Sequence, residues 1–475
     1  MLDLDPETRR ALWAQLAEVA EAYWAQVLRL PVSPRWDPEG LRQELESHRF
    51  EQPLSPEAVL RWGVEQLREH QVHTPHPRYF GLFNPAPTPM GVAAEFLVAL
   101  FNPQLAAWTH SPFAVELERR LVRWFGAQFG WPEAESDGVF TSGGAEANHT
   151  ALLLALCARF SEVGRVGLRA LRAQPVLYVS EEAHHSLLKA AQVSGLGREA
   201  VRVVPVTETL QFDLEALARQ IAQDRRQGLE PFLLVGTAGT TAAGVIDPLE
   251  ALADLAQAEG LWYHVDAAWA GAVALVAEYR PWLKGVERAD SITFDPHKWL
   301  SVPMGAGLCL SRHPEMLERA FRVPETYMPR EAASWGVPDP FARSLQWSRR
   351  FVGLKVWFSL MSLGRQGYET AIRHMVAMGH RLRQGLCDRG WALQNATPLP
   401  LACVVDPAFA EDAAHHEAIV RELIGSGRAW VSTARLRGHH TVIRACITNY
   451  RTGPEDVDAL LEALDAARHR VRLGR

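Results

Sequence analysis

Residues 291–301 read SITFDPHKWLS, a strand-like apolar run that breaks into Asp-Pro-His-Lys-Trp. The lysine in it admits two readings. An isolated lysine at a strand end lays its stem along apolar surface and lifts its charge to water. A lysine partly desolvated beside a histidine holds its proton less firmly and becomes a usable nucleophilic amine. The surrounding pattern decides where this lysine sits. Short apolar runs with strand character (PVLYVS, VRVVPV, PFLLVGT, LWYHVDA, SITFDP, GAGLCLS) alternate with helical patterns such as LEALARQIAQDR and PLEALADLAQAEG. Such alternation predicts an α/β fold with a mainly parallel sheet covered on both faces. In open sheets of that kind, ligands sit at the carboxyl ends of the strands, where Lys298 falls.

Two other strand ends carry chemistry. FTSGGAEAN (140–148) places two glycines between a strand and the helical run HTALLLALCARF. Backbone N–H groups can approach a ligand closely there, and a helix start favours phosphate. SGLGREA (194–200) loosely fits a dinucleotide pattern but follows a helical stretch, and no GxxxxGK[ST] loop is present. LWYHVDAAWAG (261–271) puts Asp266 at the end of an apolar strand, flanked by alanines that leave room for something flat. By itself Asp266 reads as a helix cap. Lys298 follows it by about one βα unit. An acid for a heteroaromatic nitrogen, an amine for an aldehyde and a cradle for a phosphate are together what pyridoxal 5'-phosphate requires.

TSGGAEAN, AHHS, HVDAAWAG and DPHKWL, in this order and at this spacing, resemble the group II pyridoxal-phosphate-dependent amino-acid decarboxylases, which include aromatic amino-acid, tyrosine, histidine and glutamate decarboxylases. The likeness runs from HPRYFGLF near residue 76 into the C-terminal part. It implies the aspartate aminotransferase-like fold type I: a large mainly parallel-sheet domain, a small C-terminal α/β domain and an N-terminal helical arm. It also implies roles. Lys298 would carry the cofactor's aldehyde, Asp266 would keep the pyridine nitrogen protonated, and His184, rather than His185, would stack on the ring. Gly144 and Ala145 would take the phosphate through their N–H groups with help from His297, while Thr241 and Ala268 would lie beside the cofactor. Tyr327, in PETYMPR, matches the family's proton donor on a mobile loop. Asp295 departs from the asparagine of several members, and an acid near a phosphate is repulsive.

The expected units are a helical arm over 1–88, a cofactor domain over 89–345 with a long Pro-rich loop at 323–340, and a small α/β domain over 346–475. Leu12, Trp13, Leu16, Val19, Tyr23, Trp24 and Val27 form an apolar stripe on the first helix. The resemblance implies a homodimer in which this arm crosses the partner and active sites are shared. Composition supports a globular chain: 475 residues, 48% hydrophobic and 22% charged. A net charge of -6 without a basic run argues against a nucleic-acid partner. Five widely spaced cysteines suggest buried thiols in a reducing compartment, and no CxxC pair suggests a metal. The charged start MLDLDPETRR and the lack of a long apolar run give no support for export or a membrane, leaving a cytoplasmic expectation.

Segments matching the family's substrate pocket offer Tyr79, Phe80, Phe83, Phe101 and Trp108. Aromatic walls favour an aromatic L-amino acid. Gly81-Leu82 stands where glutamate-type members tend to carry Asn-Gln. Arg444, on a late strand, could meet a substrate carboxylate, although a structural ion pair is the plainer reading. The rival functions are an aldehyde-forming decarboxylase, an aminotransferase or a carbon-carbon lyase on the same fold, and an inactive cofactor-binding scaffold.

Overall fold

The structure is a computed structural model and describes residues 2–324, 328 and 335–474. Three helices open the chain: α1 (Pro6–Gln26), α2 (Pro38–Ser47) and α3 (Pro56–Glu69). Each starts at an Asp-Pro-Glu or Ser-Pro-Glu triplet. Asp5, Asp37 and Ser55 accept first-turn N–H groups, and the following proline removes an N–H that the helix could not pair. None of the three helices contains a buried residue, and of the expected stripe only Val27, in the 3-10 turn after α1, is buried.

The central sheet has seven strands: β1 (Asp137–Thr141), β2 (Pro175–Ser180), β3 (Val201–Val204), β4 (Glu230–Thr237), β5 (Trp262–Asp266), β6 (Ser291–Phe294) and β7 (Gly307–Ser311). Their order is β1-β7-β6-β5-β4-β2-β3, and β7 alone among them runs against its neighbours. Strands β2, β6 and β7 are buried along their whole length. Continuous apolar runs are what a sheet covered on both faces demands. The cover includes α4 (Pro89–Phe101), α5 (Pro112–Gln128) and α6 (Gly144–Arg159).

Between β5 and β6 the chain makes 3-10 turns rather than the helix of a regular βα unit. Small side chains in Ala270–Leu275 allow this, since a Cβ on Gly271 would lie 2.8 Å from the Phe294 ring. Lys298 thus stands in the turn after β6, the strand that pairs with that of Asp266.

The C-terminal unit is built on an antiparallel sheet, β10-β11-β9-β8, formed by β8 (Ala392–Leu393), β9 (Leu401–Val405), β10 (Ser432–Leu436) and β11 (His440–Cys446). The segment after the arm is strapped onto it. Phe80 N–H donates to Trp430 O at 2.8 Å, and Cys446 N–H donates to Phe80 O at 2.9 Å. A single apolar cluster runs from β5 and β6 into β9 and β11, joining the two units. Among the described residues no helix is long and apolar enough to cross a membrane.

Candidate active site

Parallel strands deliver their carboxyl ends to one edge of the sheet. The residues that follow β1, β2, β4, β5 and β6 line one cavity of about 280 Å³ there: Ser142 to Glu146, His184, Gly239, Thr241, Ala268, Asp295, His297 and Lys298, with Asp266 at the end of β5. Chain segments more than 150 residues apart in sequence thereby share one site.

At the inner end, both Asp266 oxygens are engaged by neutral donors. Asn148 Nδ2 donates to Oδ2 at 2.8 Å, and Ala268 N–H donates to Oδ1 at 3.1 Å. Asn148, on the first turns of α6, is itself held. Its Oδ1 accepts from Thr293 Oγ1 at 2.7 Å and lies 3.1 Å from His264 Nε2. His264 is fully buried, and that burial pushes its pKa down to about 4, so the ring is neutral at physiological pH. Neither Asn148 nor His264 was singled out as functional by sequence. The signal available was strand alternation, which places His264 on the same face of β5 as Asp266.

At the opposite end, Asp295 lies against the glycine-rich start of α6. Gly144 N–H donates to its Oδ2 at 2.9 Å, and Lys298 Nζ approaches the same oxygen at 3.0 Å. Asp295 Oδ1 is buried with no hydrogen-bond partner among the described residues. Glycine is required at two places here by close approach. A Cβ on Gly144 would lie 2.8 Å from Asp295 Oδ2, and one on Gly307 would lie 2.6 Å from Gly143 Cα.

The tryptophan behind the lysine is an anchor. Trp299 is buried, packs 5.4 Å from Trp269 and donates its indole N–H to Met375 Sδ. Its neighbour Leu300 accepts from Tyr368 Oη at 3.1 Å. Both partners lie on the long helix Gly353–Asp388. Lys298 is thus tethered on its C-terminal side while 21% of its side chain stays open to the cavity.

His184 accepts Ser186 N–H at Nδ1 (3.2 Å), which leaves its hydrogen on Nε2. Its ring is open to solvent at the cavity wall, and desolvation by the surrounding walls lowers its pKa despite the nearby Asp266. Burial likewise lowers the pKa of His297, whose Nδ1 sits 2.8 Å from Ala306 O. The donor set fits pyridoxal phosphate: a carboxylate at one end, an amine on the side, an imidazole with an open face, and a helix start at the other end. Ala145 is the second residue of α6, where a backbone N–H has no carbonyl one turn earlier to meet. Gly144 N–H differs from the expectation in being committed to Asp295.

The expected substrate wall is scattered. Phe83 stands beside the site, stacked on Trp269 at 4.6 Å with Lys298 Nζ 5.7 Å from its ring centre. Phe80 is core, and Tyr79 packs against Trp430 and donates its hydroxyl to Asn84. Trp108 donates its indole N–H to Glu116. Phe101 is 77% exposed on α4. Arg444 is buried, donating to Thr241 O at 2.9 Å and Gly81 O at 2.7 Å and lying 4.9 Å over Phe83, while its Nη2 has no partner among the described residues. Tyr327 lies outside the described residues.

Residues 38–393 match the pyridoxal-dependent decarboxylase conserved domain. An aromatic-L-amino-acid decarboxylase of Bacillus atrophaeus is 30% identical over 482 residues, covering 99% of this chain and 98% of that protein. A cysteine sulfinic acid decarboxylase of Mus musculus is 34% identical over 356 residues, covering 74% of this chain and 71% of that one. The crystal structure of mouse CSAD in apo form superposes with a TM-score of 0.89 at 28% identity, covering 97% of this chain and 99% of that one.

Proposed function

The chain belongs to the pyridoxal-dependent decarboxylase family, whose cofactor is pyridoxal phosphate, and from that premise we propose that it converts an aromatic L-amino acid to the corresponding amine and CO2. The observation that carries the aromatic reading is the wall beside Lys298, where Phe83 and Trp269 stack at 4.6 Å and present an apolar surface to the amine. Gly81, in the position where acidic-substrate relatives tend to carry a polar side chain, has no room for one: a Cβ would lie 2.1 Å from the Trp430 ring.

When bound, pyridoxal phosphate supplies the sink for the electron pair that departing CO2 leaves behind. The chain's own groups hold and orient. Lys298 provides the amine that anchors the aldehyde, Asp266 holds the proton on the ring nitrogen, and His184 lies along the ring face. Ala145 N–H and His297 would hold the phosphate, and Gly144 N–H would join them if it gave up Asp295. Thr241 and Ala268 flank the ring. Tyr327 delivers the proton that replaces the carboxyl group at Cα, the role its family motif carries.

We assign the open face of α4 to a second copy of the chain. Val92, Phe96, Leu100 and Phe101 are exposed there, and Trp13 of α1 meets Phe96 edge-on at 5.7 Å. Phe101 then belongs to the partner's substrate wall, which accounts for its exposure in its own protomer. The buried thiols of Cys309, Cys403 and Cys446 suit a reducing, cytoplasmic setting.

One observation favours an acidic substrate instead: the unpartnered Nη2 of Arg444, a buried cation with a free donor beside Phe83. The purified, cofactor-loaded protein, offered aromatic amino acids, cysteine sulfinate, glutamate and aspartate, separates the readings. Amine and equimolar CO2 from an aromatic substrate, followed by mass spectrometry, is the expected result. Preference for an acidic substrate would transfer the assignment to Arg444, and aldehyde with peroxide would replace simple decarboxylation by its oxidative form.

A further inference from the structure

Behind Asp266 runs a chain of hydrogen bonds whose directions follow from donor and acceptor chemistry. An indole N–H can only donate, so Ser291 Oγ accepts from Trp262 Nε1 at 2.8 Å and keeps its own hydrogen available for His264 Nδ1, 2.9 Å away. With Nδ1 accepting, a neutral imidazole carries its hydrogen on Nε2, and that N–H donates to Asn148 Oδ1. The Asp266 carboxylate can only accept, so Asn148 turns its NH2 toward it and its Oδ1 toward His264 Nε2, which selects this tautomer in a ring that burial keeps neutral. Thr293 Oγ1 donates to the same amide oxygen. Two donors on its carbonyl fix the amide, whose NH2 then faces Asp266 Oδ2 at 2.8 Å and Ser186 Oγ at 2.9 Å. A flipped amide would press its oxygen against the carboxylate and its NH2 against two donors. Asn148, His264, Ser291 and Thr293 are all buried, so water cannot substitute for any of these contacts.

We propose that Asn148, locked by His264 and Thr293, is a positioning residue that orients the Asp266 carboxylate and sets how firmly it holds the proton on the ring nitrogen of pyridoxal phosphate. This rests on the assignment of Asp266 to that nitrogen. With Ala268 N–H on one oxygen and Asn148 on the other, the carboxylate cannot rotate, and its remaining lone pairs face the cavity. A merely structural network would stabilise the fold but would be indifferent to which atom stands at that corner of the ring.

The test pairs pyridoxal phosphate with its analogue bearing carbon in place of the ring nitrogen. Both are titrated by absorbance and tryptophan fluorescence into the unsubstituted protein, Asn148→Ala, Thr293→Val and Asp266→Ala. Asn148→Ala is expected to weaken pyridoxal phosphate about tenfold while changing the analogue by less than about twofold. Thr293→Val, which removes one of the two donors on the amide and preserves shape, is expected to give roughly threefold in the same direction and serves if Asn148→Ala does not fold. The ¹⁵N chemical shift of the labelled ring nitrogen should move toward the unprotonated value in both variants. Equal losses for the two ligands in the Asn148 and Thr293 variants, with Asp266→Ala still discriminating, overturn the positioning role and leave the Asp266 assignment standing. If Asp266→Ala also fails to discriminate, that assignment falls and takes the inference with it.

Discussion

Each end of the cavity carries one buried aspartate, and the two are supported in opposite ways. Asp266 has a neutral donor on each oxygen and a further layer of hydrogen bonds through Asn148, His264 and Thr293. Asp295 has a backbone N–H and a lysine on one oxygen and, among the described residues, no partner on the other. A buried polar atom without a partner costs about 1–3 kcal/mol, and such costs are tolerated where a ligand or a step uses them. The inner end is therefore complete before any ligand arrives. The end at the glycine-rich helix start holds its charge in an arrangement that would have to change partners if Gly144 N–H took a phosphate, as proposed.

The sharpest way to separate holding from chemistry is Tyr327→Phe, since neither end of the cavity supplies a proton to Cα. Amine formation is expected to fall about 10²- to 10⁴-fold with cofactor affinity unchanged. Unchanged amine production in steady-state assays would remove Tyr327 from the reaction. Asp266→Ala attacks the inner end directly and should lower kcat about 10²- to 10³-fold. A loss below tenfold would mean that the completeness of that end serves the fold alone.

Acid probes the same end without mutation. His264 has its folded-state pKa depressed from 6.5 to about 4, so its stabilising contribution is present above pH 6.5 and is lost as pH falls toward 4. The loss is on the order of 3 kcal/mol. Thermal unfolding of the unsubstituted protein should shift downward across that window, and His264→Asn should flatten the shift. A variant with the same acid sensitivity would clear His264.

The smallest effect belongs to the other aspartate and has the opposite sign. Asp295→Asn removes a negative charge facing the expected phosphate and keeps an acceptor for Gly144 N–H, so pyridoxal phosphate should bind about tenfold more tightly at neutral pH. Weaker binding in a direct titration would show that the carboxylate's hold on Lys298 matters more than its repulsion of the ligand, and the contrast between the two ends would dissolve.

How much of this was legible beforehand differs between the same two ends. Strand periodicity exposed β5 and β6 and hence the positions of Asp266 and Lys298 at their carboxyl ends, and the glycine pair marked the start of α6. The end at the start of α6 misled in one detail, because nothing local to FTSGGAEAN or FDPHKWL says that Gly144 N–H and Asp295, 151 positions apart, meet. The aromatic segments misled more. Tyr79, Phe80, Phe83, Phe101 and Trp108 share an apolar character that suits a core, a ring stack or an exposed face equally well, and the fold uses all three.

The sequence by itself determined the alternation of strands and helices, the three chemical groups that pyridoxal phosphate needs and the family that combines them, because each is written in short-range patterns of two to nine residues. Tertiary structure alone decided that Asn148 of α6 would reach across to Asp266 and His264 of β5, that Asp295 would face the helix start, and that Phe101 would be left exposed on α4. Those pairings depend on the order β1-β7-β6-β5 and on the crossing of α6 over it. Strand order is set by the burial of whole apolar faces against one another, a sum over distant residues that no single segment carries.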